Sequence, residues 1–69
     1  MQEITKTQAL VLAFIKRHRH ELGWPPTIPE IARHFGWKSP TAASQHLIAL
    51  ERKGYIKRSP NISRGITVL

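Results

Sequence analysis

The 69-residue sequence contains no cysteine and no aspartate. The first absence excludes disulfides, cysteine zinc sites and thiol nucleophiles. The second leaves four glutamates, Glu3, Glu21, Glu30 and Glu51, as the whole carboxylate inventory. That is little material for acid–base catalysis, and no serine and histidine are backed by an acid able to orient them. Aromatic residues make up 7% of the chain. The longest apolar run, Ala9 to Ile15, falls far short of the 18 or more residues a membrane span needs. No basic stretch followed by a signal-type apolar segment opens the chain. A phosphate-cradling glycine loop, internal repeats and low-complexity tracts are also missing. The expectation is a soluble, cytoplasmic protein with no cofactor, no metal, no membrane partner and no small-molecule substrate.

What is there is positive charge. Eleven lysines and arginines against four acids leave a net charge of +7, and the pI is near 11.0. An imbalance this large points to a polyanion, with nucleic acid as first candidate and an anionic membrane as second. The length suits one small domain, residues 1–69, with a thin core. The hydrophobic share of 41% is enough for one core and not for two.

Glycines and prolines cut the chain into four segments. The first is a helix over 6–22. Thr5 and Gln8 fit a capping box, and Gly23 supplies the stop. Val11, Phe14, Ile15, His18 and Leu22 recur at helical spacing as one apolar stripe. Trp24-Pro25-Pro26 is a stiff turn. Thr27 and Glu30 form a second capping box for a short helix over 28–35, with Ile31, Ala32 and Phe35 facing inward and Gly36 closing it. Ser39-Pro40 is a cap followed by proline at the first helical position. It opens a third helix over 40–53, whose core stripe is Ala43, Leu47 and Leu50. The period then changes. Residues 55–58 and 66–69 are rich in β-formers, with turn chemistry at 59–64 between them. They read as a hairpin that must pack on the helices to be stable.

Helix, short helix, tight turn, helix and hairpin describe a mainly α (α+β) three-helix winged helix-turn-helix, with the two-stranded hairpin as the wing. The third helix has one face for the core and another that is free. Thr41, Ser44, Gln45, Ile48 and Arg52 share the free face at spacings of three and four. An α-helix fits the major groove, where Gln pairs with adenine and Ser or Thr bonds several bases. Ile48 is the odd member, able to touch a thymine methyl or to pack at the core edge. The bland alternative is that small polar residues near a helix start merely cap and solvate it.

Along nearly its whole length the chain also resembles the N-terminal DNA-binding domain of the LexA repressor family. The stretches that carry the resemblance are Gly23-Trp-Pro-Pro-Thr27, Glu30-Ile-Ala32, Phe35-Gly36, Ser39-Pro40, Ala42-Ala43, His46-Leu47, Ala49-Leu50, Arg52-Lys-Gly54 and Ser63-Arg-Gly-Ile66. The resemblance implies repression of DNA-damage (SOS) genes in bacteria or phage, near the nucleoid. It also implies operator binding, usually as a homodimer on a palindromic double-stranded DNA site. Base reading carries over to Ser39, Thr41, Ala42, Ser44 and Gln45. Backbone contacts fall to Arg52, Lys53, Ser63, Arg64 and Gly65. The well-studied pattern has Asn at the position of Thr41 and Glu at those of Ser44 and Gln45. The expectation is therefore a different operator, with stronger non-specific binding once two acids near phosphates are lost. Full members continue into a Ser/Lys self-cleaving domain. The end of the chain at Leu69, where the linker would begin, suits an excised domain, with a stand-alone small regulator as the alternative.

Rival readings are a basic protein-interaction module and a non-specific nucleic-acid binder, RNA included. His18 and His20 lie two apart on a helix and point to different faces, so a shared metal is not expected. His34 is expected at the surface and His46 beside the third helix. Trp24 and Trp37 should brace turns, and Tyr55 should anchor the wing. The basic run Lys16 to His20 fits equally a phosphate track or a solvated face beside a favourable helix dipole.

Overall fold

The computed structural model describes residues 3–59, 61, 62 and 64–69. Its elements in chain order are α1 (Lys6–Leu22), α2 (Ile28–Phe35), α3 (Pro40–Arg52), β1 (Ile56–Arg58) and β2 (Ile66–Val68). Both capping boxes form. The Gln8 backbone N–H donates to Thr5 Oγ1 at 3.1 Å, and Thr5 N–H donates to Gln8 Oε1 at 3.0 Å. The Glu30 N–H donates to Thr27 Oγ1 at 3.3 Å, and Thr27 N–H donates to Glu30 Oε1 at 2.8 Å. Ser39 caps α3 by accepting from Thr41 N–H at 3.1 Å. Each cap satisfies backbone donors that a helix start leaves without partners. Gly36 ends α2 at φ +73° with open space around it, so its need for glycine is conformational and not steric.

Three boundaries differ from the sequence-based expectation. The third helix ends at Arg52, and Lys53 is its cap, because Gly54 at φ +87° turns the chain immediately afterwards. The strands are three residues each instead of four. They pair antiparallel as Ile56 with Val68, Lys57 with Thr67 and Arg58 with Ile66. Tyr55 and Leu69 lie just outside that ladder, joined by one bond from Leu69 N–H to the Tyr55 carbonyl at 3.0 Å. Two residues of the expected loop, Pro60 and Ser63, lie outside the described residues.

The core takes Val11, Leu12 and Ile15 from α1, Ile31 and Ala32 from α2, and Ala43, Leu47 and Leu50 from α3. Ile56 and Ile66 add one residue from each strand. Burying one such large aliphatic side chain contributes about 1.5–3 kcal/mol. The expected α1 stripe holds at Val11 and Ile15, with Phe14 and His18 half-buried. It fails at Leu22, which is 51% exposed because the last turn of α1 runs past the core into the Gly23 cap. Leu12, which the stripe omitted, is buried. Among the described residues no helix is long and apolar enough to cross a membrane.

Candidate nucleic-acid interface

The core stripe of α3 faces inward, so the opposite side of that helix looks out of the domain. Thr41, Gln45, Ile48 and Arg52 are exposed there, and Ser44 is half-buried on its flank. Ile48 is 41% exposed, so it belongs to the outward face more than to the core edge. Ala42 is half-buried toward the other flank. Ser39 is exposed, but its oxygen is engaged as the helix cap. The five residues expected to read bases thus form two sets: Thr41, Ser44 and Gln45 on or beside the outward face, and Ser39 and Ala42 at the helix entrance.

The start of α3 is held by a continuous array of rings. His46 stacks on Trp37 with centroids 5.1 Å apart, and Trp37 stacks on Phe35 at 4.8 Å. Phe35 meets Phe14 edge-on at 5.9 Å, and Phe14 stacks on His34 at 4.0 Å. These contacts fasten α3 to both other helices through the turn after Gly36. Trp37 braces that turn, as expected. His34 is exposed, yet one of its ring faces is covered by Phe14. His18 Nδ1 lies 2.8 Å from the Trp24 carbonyl, while His20 is exposed.

The expected backbone residues are less free than charge alone implies. Arg52 is exposed. The Lys53 ammonium donates to Gln8 Oε1 at 2.8 Å, tying the end of α3 to the start of α1. It keeps further N–H donors. Gly65 has a packing reason to be glycine, since a Cβ there would sit 2.6 Å from the Ser59 carbonyl oxygen. The Ser59 N–H also donates to the Gly65 carbonyl at 2.7 Å, closing the wing loop. Ser63 lies outside the described residues.

Arg64 is bound to protein groups on several sides. Its Nη1 donates to Glu30 Oε1 at 2.8 Å and to the Pro25 carbonyl at 2.9 Å, and its Nη2 donates to Glu30 Oε2 at 3.1 Å. The guanidinium also lies over the Trp24 ring, 5.8 Å from its centroid. Hydrogen bonds from Arg64, reinforced by the Thr27 N–H, pull the Glu30 carboxyl down to about 2. The same contact raises Arg64 above its ordinary value. A second clamp joins Glu51 of α3 to Arg58 of β1. The Arg58 backbone N–H donates at 3.1 Å and its Nε at 3.2 Å. These bonds, the backbone one first, hold the Glu51 carboxyl below its usual range.

Sequence reasoning missed both clamps. Glu30 and Arg64 are 34 positions apart, beyond any local pattern. The available signal was the scarcity of acids, which makes each glutamate a natural anchor for one of eleven cations. The clamps matter electrostatically. Both glutamates near the wing are neutralised, while Arg52 and Lys57 keep exposed charge with no carboxylate partner among the described residues. Lys57, on β1, is an exposed wing cation that the sequence reading did not single out.

Residues 1–65 match the family model described as the LexA DNA binding domain. Over all 69 residues the chain is 52% identical to the LexA repressor of Petrotoga mobilis. It is 53% identical over 99% of its length to the LexA repressor of Pseudomonas aeruginosa strain LESB58, and equally so to "LexA repressor 1" of Pseudomonas putida. These matches cover 33%, 33% and 34% of the relatives, so the chain spans about a third of their length.

Proposed function

The chain belongs to the LexA DNA-binding-domain family, and from that premise we propose that it binds double-stranded DNA sequence-specifically, as the DNA-binding part of a transcriptional repressor. The observation that carries this reading is the outward face of α3. Short polar side chains stand there at helical spacing, on a helix whose other side is locked in the core. Such a helix can lie in the major groove with its first turns against base edges. In this reading Thr41, Ser44 and Gln45 meet bases, with Ser39 and Ala42 setting the entrance. Arg52 and Lys53 follow the backbone at the end of the helix. The wing carrying Ser63, Arg64 and Gly65 lies along the backbone and minor groove.

The finer proposals follow from the family. They are a homodimer on a palindromic operator, regulation of DNA-damage genes, and residence with the nucleoid of a bacterium or phage. Any self-cleavage belongs to a separate Ser/Lys domain of a longer protein and to none of these residues. The base-reading positions differ from the well-studied family pattern, so the operator should differ too.

The test is selection from a randomised duplex pool at about 150 mM salt, where screening suppresses purely electrostatic binding. A recovered motif supports the reading, and a two-fold motif supports the dimer. Gln45→Ala should then lower discrimination at one base pair by about 1–3 kcal/mol. Equal losses on the selected and on random duplexes would refute a base-reading role for Gln45.

A further inference from the structure

We propose that Arg64 is a positioning residue, which fixes the angle of the wing by gripping Glu30 and the Pro25 carbonyl and does not itself bind a DNA phosphate. The proposal rests on the DNA-binding reading above and assigns one of its wing residues a different task.

The wing cannot hold its own position. Two strands of three residues form a hairpin too small to be stable alone. Among the described residues its buried anchors are Ile56 at the base and Ile66 at the loop end of the ladder, where Arg58 of the facing strand is clamped to Glu51. Beyond the ladder the Ser59–Gly65 bond closes a loop in which Asn61 and Ile62 are exposed. Something must tie that loop to the helices if the wing is to meet DNA at a fixed angle. Arg64 leaves the loop next to Gly65 and reaches the start of α2.

The grip is bidentate. Two guanidinium nitrogens meet two carboxylate oxygens at 2.8 and 3.1 Å, a geometry that lysine cannot reproduce. Glu30 is itself held in place, because the same carboxylate caps α2 through the Thr27 N–H. The Pro25 carbonyl and the Trp24 ring complete the seat. His18 secures the turn from the other side, with Nδ1 at 2.8 Å from the Trp24 carbonyl and Nε2 at 3.9 Å from Glu30. Glu30 together with its neighbours Arg64 and His18 therefore joins α1, the Trp24-Pro25 turn, α2 and the wing.

The same geometry argues against a phosphate role. A phosphate approaching Arg64 meets a cation already matched by a carboxylate. It would have to break the bidentate pair or come to rest beside Glu30 as a like charge. In neither case does the pair release a counterion as a free arginine would. Phosphate binding is measured by that release, at about 0.9 in the slope of log affinity against log salt for each phosphate neutralised.

The experiment uses Arg64→Lys and Arg64→Gln on the whole chain. Binding is measured between about 50 and 200 mM salt. The probe is the duplex recovered by selection or, if no motif emerges, a random-sequence duplex of the same length. Circular dichroism establishes that each variant is folded at the assay temperature. The expected result is that both variants bind about tenfold more weakly, because a wing held at no fixed angle must be ordered on binding, with an unchanged salt slope. A phosphate contact predicts the opposite pattern. Arg64→Lys, which keeps the charge, would bind like the parent, and Arg64→Gln would lower the slope by about 0.9. That pattern overturns the proposal, and so does unchanged affinity in both variants. If Arg64→Gln does not fold, Arg64→Lys decides the matter alone. A parent chain that binds neither duplex overturns the DNA-binding reading instead, so the two failures are distinguishable. Amide shifts give a further check. Arg64→Lys should move signals in the wing and around Pro25 to Glu30 while leaving the first turn of α3 in place. Shifts spread evenly over all three helices would mean general destabilisation and sink the idea.

Discussion

The helical body and the wing are built on different principles. The body is held by apolar burial, with Val11, Ile15, Ile31, Ala43, Leu47 and Leu50 fully buried across all three helices. Among its described residues the wing buries Ile56 and Ile66 in that core, with Tyr55 and Val68 partly buried against it, and adds two arginine–carboxylate clamps, Arg58 to Glu51 and Arg64 to Glu30. Apolar burial does not titrate and is insensitive to screening. Exposed or half-exposed ion pairs weaken with salt and with protonation. The packing that presents α3 should therefore respond little to salt and pH, and the clamps that seat the wing should respond more.

The largest expected effect breaks the body. Leu47→Ala should destabilise the domain by about 2–5 kcal/mol, read by urea denaturation, because it opens a cavity in the core that the helices share. In a domain this small that is a large share of the total stability. A loss confined to wing signals would show that the two regions are not distinguished by burial.

Gly65→Ala should break the wing and spare the body. The added Cβ would meet two carbonyl oxygens, at 2.6 and 2.9 Å, so the loop must shift at a cost of about 1–3 kcal/mol. Amide spectra should show the change at residues 56–68, with helical circular dichroism retained.

Ser39→Ala acts on the body again but at its edge. Loss of the cap on α3 should cost about 1 kcal/mol in thermal unfolding. A neutral result would place the start of α3 under the control of the ring array and Pro40 instead.

The smallest difference is expected from Glu30→Gln, since the pair is partly solvated, and its sign with pH is fixed. Glu30 is held at about 2, below its ordinary 4.5, chiefly by Arg64. Its stabilisation is complete above pH 4.5 and is lost as the pH falls toward 2. Parent and variant melting temperatures should therefore differ near neutrality and converge in acid. A gap that stays constant down to pH 2 would mean the charge of Glu30 contributes nothing.

The contrast also explains which features the sequence made legible. Helix starts and stops rest on residues three or four apart, such as Thr5 with Gln8 and Thr27 with Glu30. Those pairs were read correctly, as was the core stripe of α3. The wing strands came out one residue shorter each, because pairing depends on how the hairpin seats on the helices. The clamps were invisible because Arg64 meets Glu30 only after the chain has folded back on itself. Arg64 and Lys53 carry formal charge in any sequence reading. Only the fold shows that one is paired with a carboxylate and the other rests on Gln8. The outward face of α3 was legible for the opposite reason: its character is an exposed surface set by helical spacing alone.

The two tryptophans sit one in each region. Trp37 is sandwiched between Phe35 and His46 in the helical body, and Trp24 is 49% exposed beneath the Arg64 guanidinium that seats the wing. Each indole emits from a different surrounding, one stacked between rings, the other half in water and beside a cation. Replacing either by phenylalanine would leave a single indole, excitable apart from Tyr55, so that the detachment of the wing and the melting of the helices could be followed by emission as separate events in the two variants.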